Sequence, residues 1–125
     1  MKYILEANNI TKKIGNNVIL DNVNFKLERG KIYGLVGANG SGKSTLLKII
    51  MNLCSYKGNV IINGMNSRKN FKEVMKGIGG IVDYVSFYDF LTAEENLRYF
   101  ALLYEVPIER VYEVLKIVKL KADKK

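Results

Sequence analysis

The residues with the clearest chemical potential form a short glycine-rich segment, Gly37-Ala38-Asn39-Gly40-Ser41-Gly42-Lys43-Ser44. Its spacing fits the pattern G-x-x-x-x-G-K-[ST], in which glycines let the backbone curl so that successive N–H groups point inward. Such a curl attracts an anion, and a helix that begins at about Lys43 would turn its positive dipole end toward the same anion. The segment therefore predicts a site for the phosphates of a nucleoside triphosphate, with ATP as the expected ligand.

Residue types within and after this loop predict distinct roles. Lys43 would bridge the terminal phosphates, and the Ser44 hydroxyl is placed to coordinate Mg²⁺, a hard cation that shares oxygen ligands with phosphate. Thr45 would add its N–H and hydroxyl on the α-phosphate side. The predicted cofactors are thus ATP and Mg²⁺. The predicted phosphate-binding residues are Gly37, Ala38, Asn39, Gly40, Ser41, Gly42, Lys43, Ser44 and Thr45.

The segments on either side of the loop predict the elements that position it. Lys31–Val36 is short and apolar and ends at glycine, as a buried strand does. After Lys43, apolar side chains recur at helical spacing, at positions 46, 47, 50 and 54. Strand, glycine loop and helix follow one another in the required order, which disfavours a chance glycine turn before a lysine.

Turn and capping signals outline the rest of an α/β chain. Gly15-Asn16-Asn17 predicts a turn between antiparallel strands, and Asn63-Gly64 closes a further strand. Ile78–Asp83 looks like another short buried strand. Thr92-Ala93-Glu94-Glu95 is a capping box that opens a helix, and Pro107 separates that helix from a last amphipathic one.

Length, composition and charge limit the class of protein. A chain of 125 residues, of which 48% are apolar, suits one domain with a real core. No window approaches the roughly 20 apolar residues that span a bilayer, and no apolar signal sequence follows Lys2, so we expect neither export nor membrane insertion. The formal charge of +8 clusters only at residues 12–13 and 121–125, which favours a solvated surface over a nucleic-acid site.

The fuller string Gly37–Leu47 resembles the Walker A segment of ATP-binding cassette (ABC) transporter ATPases. Leu20–Phe25 together with Gly30–Gly34 looks like the antiparallel β lead-in of that family, Gly58–Gly64 like its next hairpin, and Leu91–Leu97 like the start of its helical subdomain. The resemblance covers almost the whole chain. It implies a P-loop NTPase core of the ABC type with an N-terminal antiparallel β lead-in and the start of a helical subdomain.

The resemblance also implies a division of the chain and a function. Residues 1–83 would be the N-terminal part of the nucleotide-binding domain, and residues 84–125 the Q-loop region and the beginning of the helical subdomain. The intact subunit would hydrolyse ATP at the cytoplasmic face of a separate membrane permease and pair head to tail with a second cassette. The signature stretch, the Walker B strand with the catalytic glutamate and the switch histidine would lie beyond Lys125. We therefore expect no catalytic residue in this chain.

Base contacts and metal ligands show two departures from the family pattern. At Ile14, where these ATPases usually carry an aromatic residue that stacks on adenine, a branched aliphatic gives only dispersion contact, so weak base recognition is expected. Val18 is the second candidate base contact. Asp83 aligns with the Q-loop glutamine and is a candidate Mg²⁺ ligand, although its side chain reaches roughly 1.5 Å less.

Alternative interpretations of Asp83 lead to different functions. It would face solvent at a strand end, or act as the Walker B aspartate of a small, self-sufficient P-loop NTPase. A basic nucleic-acid-binding cassette protein is a third hypothesis. The aromatic residues Tyr84, Phe87, Tyr88 and Phe90 follow Asp83, in the region that faces the permease in this family. A contribution to the domain's own core is equally consistent with their spacing.

Overall fold

A long antiparallel hairpin begins the chain in the computed structural model, which describes residues 1–84 and 87–121. Strand β1 spans Tyr3–Ile14 and strand β2 spans Asn17–Glu28, with Ile14 opposite Asn17. Gly15 lies in the connecting turn with a φ of 59°, a left-handed conformation that favours glycine. The predicted turn and antiparallel pairing are confirmed.

Two shorter strands complete a four-stranded sheet with the order β2-β1-β3-β4. Strand β3, Lys57–Ile62, pairs antiparallel with β1, and strand β4, Met65–Asn66, pairs antiparallel with β3. Asn63 and Gly64 connect them with φ values of 51° and 76°, the left-handed pair that a tight two-residue hairpin needs. The Asn-Gly turn read from the sequence is therefore confirmed.

Helices α1, Lys43–Ile50, and α2, Phe71–Lys76, belong to the same compact unit as the sheet, Met1–Tyr84. Ile49 of α1 is fully buried, whereas Leu47, which the sequence pattern placed inward, is 43% exposed. Leu46, Ile49 and the half-buried Ile50 form the inward stripe, because positions three and four apart share a helix face. The core of this unit comprises Leu5, Ala7, Ile10, Leu20, Leu46, Ile49, Tyr56, Val60, Ile62 and Val74.

Two segments that the sequence predicts as buried strands do not form strands among the described residues. Lys31–Val36 and Ile78–Asp83 both lie outside the four-stranded sheet. The side chains of Ile32 and Val36 are 102% and 94% exposed, and that of Ile81 is 70% exposed. A buried strand needs backbone partners on neighbouring strands, and an apolar sequence cannot supply them alone. Both strand predictions are therefore wrong.

The described part of the second unit, Val85–Lys125, contains helices α3, Ala93–Leu103, and α4, Glu109–Ile117. The capping box is confirmed, since Thr92 Oγ1 accepts from the Glu95 N–H at 3.1 Å and the Thr92 N–H donates to Glu95 Oε2 at 2.8 Å. Residues 122–125, part of the predicted lysine cluster, lie outside the described residues. Within residues 1–84 and 87–121, no helix has the length and apolar character to cross a bilayer.

Gly58 tests how closely β1 and β3 approach. Its φ is +99°, and an added Cβ would lie 2.5 Å from the Asn8 carbonyl oxygen and closer still to that of Asn9. We expect Gly58→Ala to lower the free energy of unfolding by about 2 to 4 kcal/mol, because a backbone clash adds to left-handed strain. Gly30→Ala, at φ +73° in open space, is the control with strain alone, about 1 to 2 kcal/mol. Equal losses in urea unfolding would contradict the close approach.

Candidate phosphate-binding site

The glycine loop curls through two left-handed glycines. Gly40 has a φ of 80° and Gly42 a φ of 99°, conformations that residues with a Cβ rarely adopt. Between them the Ser41 N–H donates to the Ala38 carbonyl oxygen at 3.1 Å, which closes a tight turn. Residues 37–41 are exposed, so the loop is open to a ligand.

The N-terminus of α1 supplies unpaired donors next to this curl. Gly42 is the N-cap, no side chain caps the helix, and no acidic residue lies in its first turn. The Leu46 N–H makes the first helical bond, to the Gly42 carbonyl oxygen at 2.9 Å. The N–H groups of Lys43, Ser44 and Thr45 precede that bond and have no intrahelical acceptor. Together with the positive end of the helix dipole, they favour an anion at this position.

The side chain of Lys43 folds back over the phosphate loop and hydrogen-bonds to it. Its Nζ donates to the carbonyl oxygens of Gly37 at 2.5 Å and Ala38 at 2.7 Å, and is 3.4 Å from Ser41 Oγ. Phosphate oxygens carry more negative charge than these carbonyls and accept stronger hydrogen bonds. The predicted role of Lys43 therefore requires it to exchange loop carbonyls for phosphate oxygens.

Residues of strand β2 near the turn of the hairpin lie directly against Gly42 of the loop. A Cβ on Gly42 would lie 2.9 Å from Leu20 Cδ2 and 3.1 Å from the Ile19 carbonyl oxygen. Val18 directly precedes Ile19, and Val18 and Ile14 lie at the same turn end of the hairpin, 50% and 58% exposed. The structure thus leaves both candidate base contacts accessible, and their role stays a prediction.

The two predicted metal ligands lie together. The carboxylate of Asp83 forms an ion pair with Lys48, Nζ to Oδ2, at 2.7 Å. The hydrogen bond from Lys48 lowers the pKa of Asp83 below its ordinary value, and Ser44 acts in the same direction. A hydroxyl beside an ionised carboxylate is a donor set that fits Mg²⁺ shared with phosphate oxygens.

Lys48 is the residue at this site that the sequence did not reveal. It follows Ser44 by four positions, so the two side chains share one face of α1. The spacing of residues on α1 was available from the sequence, but the return of Asp83 to that face depends on the path of residues 51–82. Among residues 1–84 and 87–121, no group of three or more His, Cys, Asp or Glu side chains is placed to hold a metal.

In the second unit, one buried amide organises an aromatic surface. Asn96 is 5% exposed, and its Oδ1 accepts from the Tyr88 N–H at 2.9 Å while its Nδ2 donates to the carbonyl oxygens of Tyr88 and Thr92 at 3.1 and 3.0 Å. The rings of this loop contact one another and two rings of α3, in edge-to-face or tilted arrangements. These rings, between 40% exposed and 83% exposed except for the half-buried Phe100, are Phe87, Tyr88, Phe90, Tyr99 and Phe100.

Comparison with known sequences matches this chain to ABC transporter ATP-binding proteins. A family described as ABC transporter matches residues 20–125. An uncharacterized ABC transporter ATP-binding protein of Bacillus subtilis, YhcH, is 36% identical over 122 residues, which cover 96% of this chain and 40% of that protein. The bacitracin transport ATP-binding protein BcrA of Enterococcus faecalis is 35% identical over 127 residues, covering 100% of this chain and 41% of that protein. The chain thus spans about two fifths of the length of these relatives.

Solved structures with similar folds are cassettes of the same kind. A dimeric ATP-binding cassette in a post-hydrolysis state, bound to ADP and phosphate, matches with a TM-score of 0.76 and 28% identity over 94% of this chain and 58% of that one. An ATP-binding subunit of an ABC transporter matches with a TM-score of 0.74 and 30% identity over 83% of this chain and 44% of that one. The predicted α/β fold of this type is confirmed.

Removal of the Lys43 ammonium tests the phosphate site. We expect Lys43→Ala to weaken ATP binding at least about 30-fold, because a charge-assisted contact to phosphate is lost while the core is untouched. Isothermal titration with ATP measures the affinity, and circular dichroism checks the fold. Lys57→Ala removes the same charge from an exposed position at the start of strand β3 and should bind ATP like the unmodified chain. Unchanged affinity in folded Lys43→Ala would contradict the assignment.

Proposed function

Because the chain belongs to the family of ABC transporter ATP-binding proteins, we propose that it forms the Mg-ATP-binding front part of a transport ATPase. The observation that carries the proposal is the juxtaposition of an uncapped helix N-terminus, a left-handed glycine curl and the Lys43 ammonium. These groups stabilise the phosphates through backbone N–H groups and a point charge. Ser44 and Asp83 would hold Mg²⁺, which neutralises charge on the phosphate oxygens when bound.

The whole protein would use ATP hydrolysis to drive transport through a separate membrane permease, from the cytoplasmic face of the membrane. The exposed rings around Tyr88 supply a surface suited to such a partner, since aromatic side chains are enriched in the cores of interfaces. Their exposure favours this interpretation over packing in the domain's own core. A second cassette, paired head to tail, would complete the nucleotide site in the intact protein.

The alternative of a self-sufficient NTPase has less support. It requires Ile78–Asp83 to be a Walker B strand, but this segment lies outside the sheet and Asp83 has a left-handed φ of 66°. The lysines cluster only at residues 12–13 and 121–125 of the sequence, which favours a solvated surface over a nucleic-acid site. The relatives compared are ABC transporter or transport ATP-binding proteins. Neither alternative is favoured.

Three acidic residues, Asp83, Glu94 and Glu95, are poor candidates for a catalytic base because each is already engaged. Glu95 is engaged in the capping box of α3, and Glu94 forms an ion pair with Arg98 at 3.1 Å. Asp83 is paired with Lys48. Activation of the attacking water requires a carboxylate beside the terminal phosphate, and we propose that residues outside these 125 supply it.

Turnover by the isolated chain tests this proposal. We expect the purified 125-residue chain to bind Mg-ATP but to release no phosphate above the level of Lys43→Ala, because a positioned base is lacking. A coupled phosphate-release assay at saturating ATP measures this. Sustained turnover that is lost in Asp83→Asn and retained in the matched variant Asp89→Asn would contradict the proposal and favour the self-sufficient NTPase.

A further inference from the structure

Two donors from one face of α1 converge on the carboxylate of Asp83. Ser44 and Lys48 are four residues apart, and Lys48 Nζ lies 2.7 Å from Oδ2 of this carboxylate. Ser44 contributes to the lowered pKa of the same group. The left-handed backbone at Asp83, φ 66°, fixes the direction in which this carboxylate leaves the chain. The Lys48 ammonium, a cation of the protein itself, is therefore already paired with the carboxylate that is expected to bind the metal together with Ser44.

The ion pair is open to exchange. The side chains of Lys48 and Asp83 are 41% and 38% exposed, so water and ions reach both. Exposed lysine–carboxylate pairs are held weakly, because water screens the attraction and two flexible side chains must be ordered. A divalent cation with oxygen ligands nearby is a stronger partner for a carboxylate than a single ammonium.

We propose that Lys48 is an internal counter-cation that competes with Mg²⁺ for Asp83 and thereby limits how much the metal strengthens nucleotide binding. This inference rests on the proposed function, since it concerns the metal of the same site. When Mg²⁺ arrives with ATP, the Lys48 ammonium must leave the carboxylate and remain near a like charge. Both effects reduce the gain in affinity that Asp83 provides.

A purely supporting role for Lys48 makes the opposite prediction. If the ammonium only held Asp83 in place beside Ser44, its removal would let the carboxylate drift away and would weaken metal-dependent binding. The sign of the change in metal dependence therefore separates competition from support. Measuring a ratio of affinities removes effects that are equal for ATP and Mg-ATP, and an Asp83→Asn background separates the unequal effect of the lost charge on the two.

The experiment compares ATP affinity with excess Mg²⁺ to ATP affinity in EDTA, by isothermal titration on the 125-residue chain. We expect Lys48→Met, which keeps the length of the side chain, to raise this ratio roughly three- to tenfold. Lys48→Arg, which keeps the charge and donors, should leave it near the original value. Lys26→Met breaks a comparable pair in the hairpin, Lys26 to Glu6 at 2.8 Å, and should also leave the ratio unchanged.

The Asp83→Asn background identifies the group for which the cations compete. In that background, the fold increase in the affinity ratio on Lys48→Met should be less than half of the fold increase seen in the original chain, because no carboxylate is released. A ratio that falls or stays constant in folded Lys48→Met, or a rise that is undiminished in Asp83→Asn, would overturn the inference. ATP binding absent from every variant, the original chain included, would instead overturn the proposed function and this inference with it.

Discussion

The site depends on donors that the first turn of α1 leaves without acceptors. Lys43, Ser44 and Thr45 precede the first helical hydrogen bond, and no side chain caps them. A helix end of this kind is stable when its environment supplies an acceptor, and water or an anion serves that purpose. Burial of Leu46 and Ile49 in the core holds α1 in place, so the donors keep their direction whether or not a ligand is bound.

Local signals in the sequence were sufficient for much of the fold. The turns at Gly15 and Asn63-Gly64 and the capping box at Thr92 each involve a few neighbouring residues whose chemistry determines the conformation. The strand predictions at Lys31–Val36 and Ile78–Asp83 failed because a strand depends on distant partners. Leu47 was misplaced for a related reason, since the inward stripe of a short helix is set by what it packs against.

The same distinction between local signals and long-range pairings applies to the candidate site. The phosphate loop and the helix start at Lys43 follow from one contiguous motif, so the sequence predicted them together with Ser44. The proximity of Asp83 to Ser44 was expected from family resemblance, but its pairing with Lys48 was not. Asn96 was missed as well, because an asparagine in a helix gives no sign that its amide holds the loop before it. Pairings across long stretches of chain require the folded structure.

We infer that backbone N–H groups around the start of α1 receive the phosphates. Amide chemical shifts in ¹H–¹⁵N correlation spectra during titration of the ¹⁵N-labelled chain with ATP test it directly. We expect the largest, saturating shifts at the amides of residues 40–45. We also expect inorganic triphosphate to reproduce them, since phosphates rather than the base supply the contacts. Shifts confined to residues elsewhere, with the amides of residues 40–45 unmoved at saturation, would contradict it.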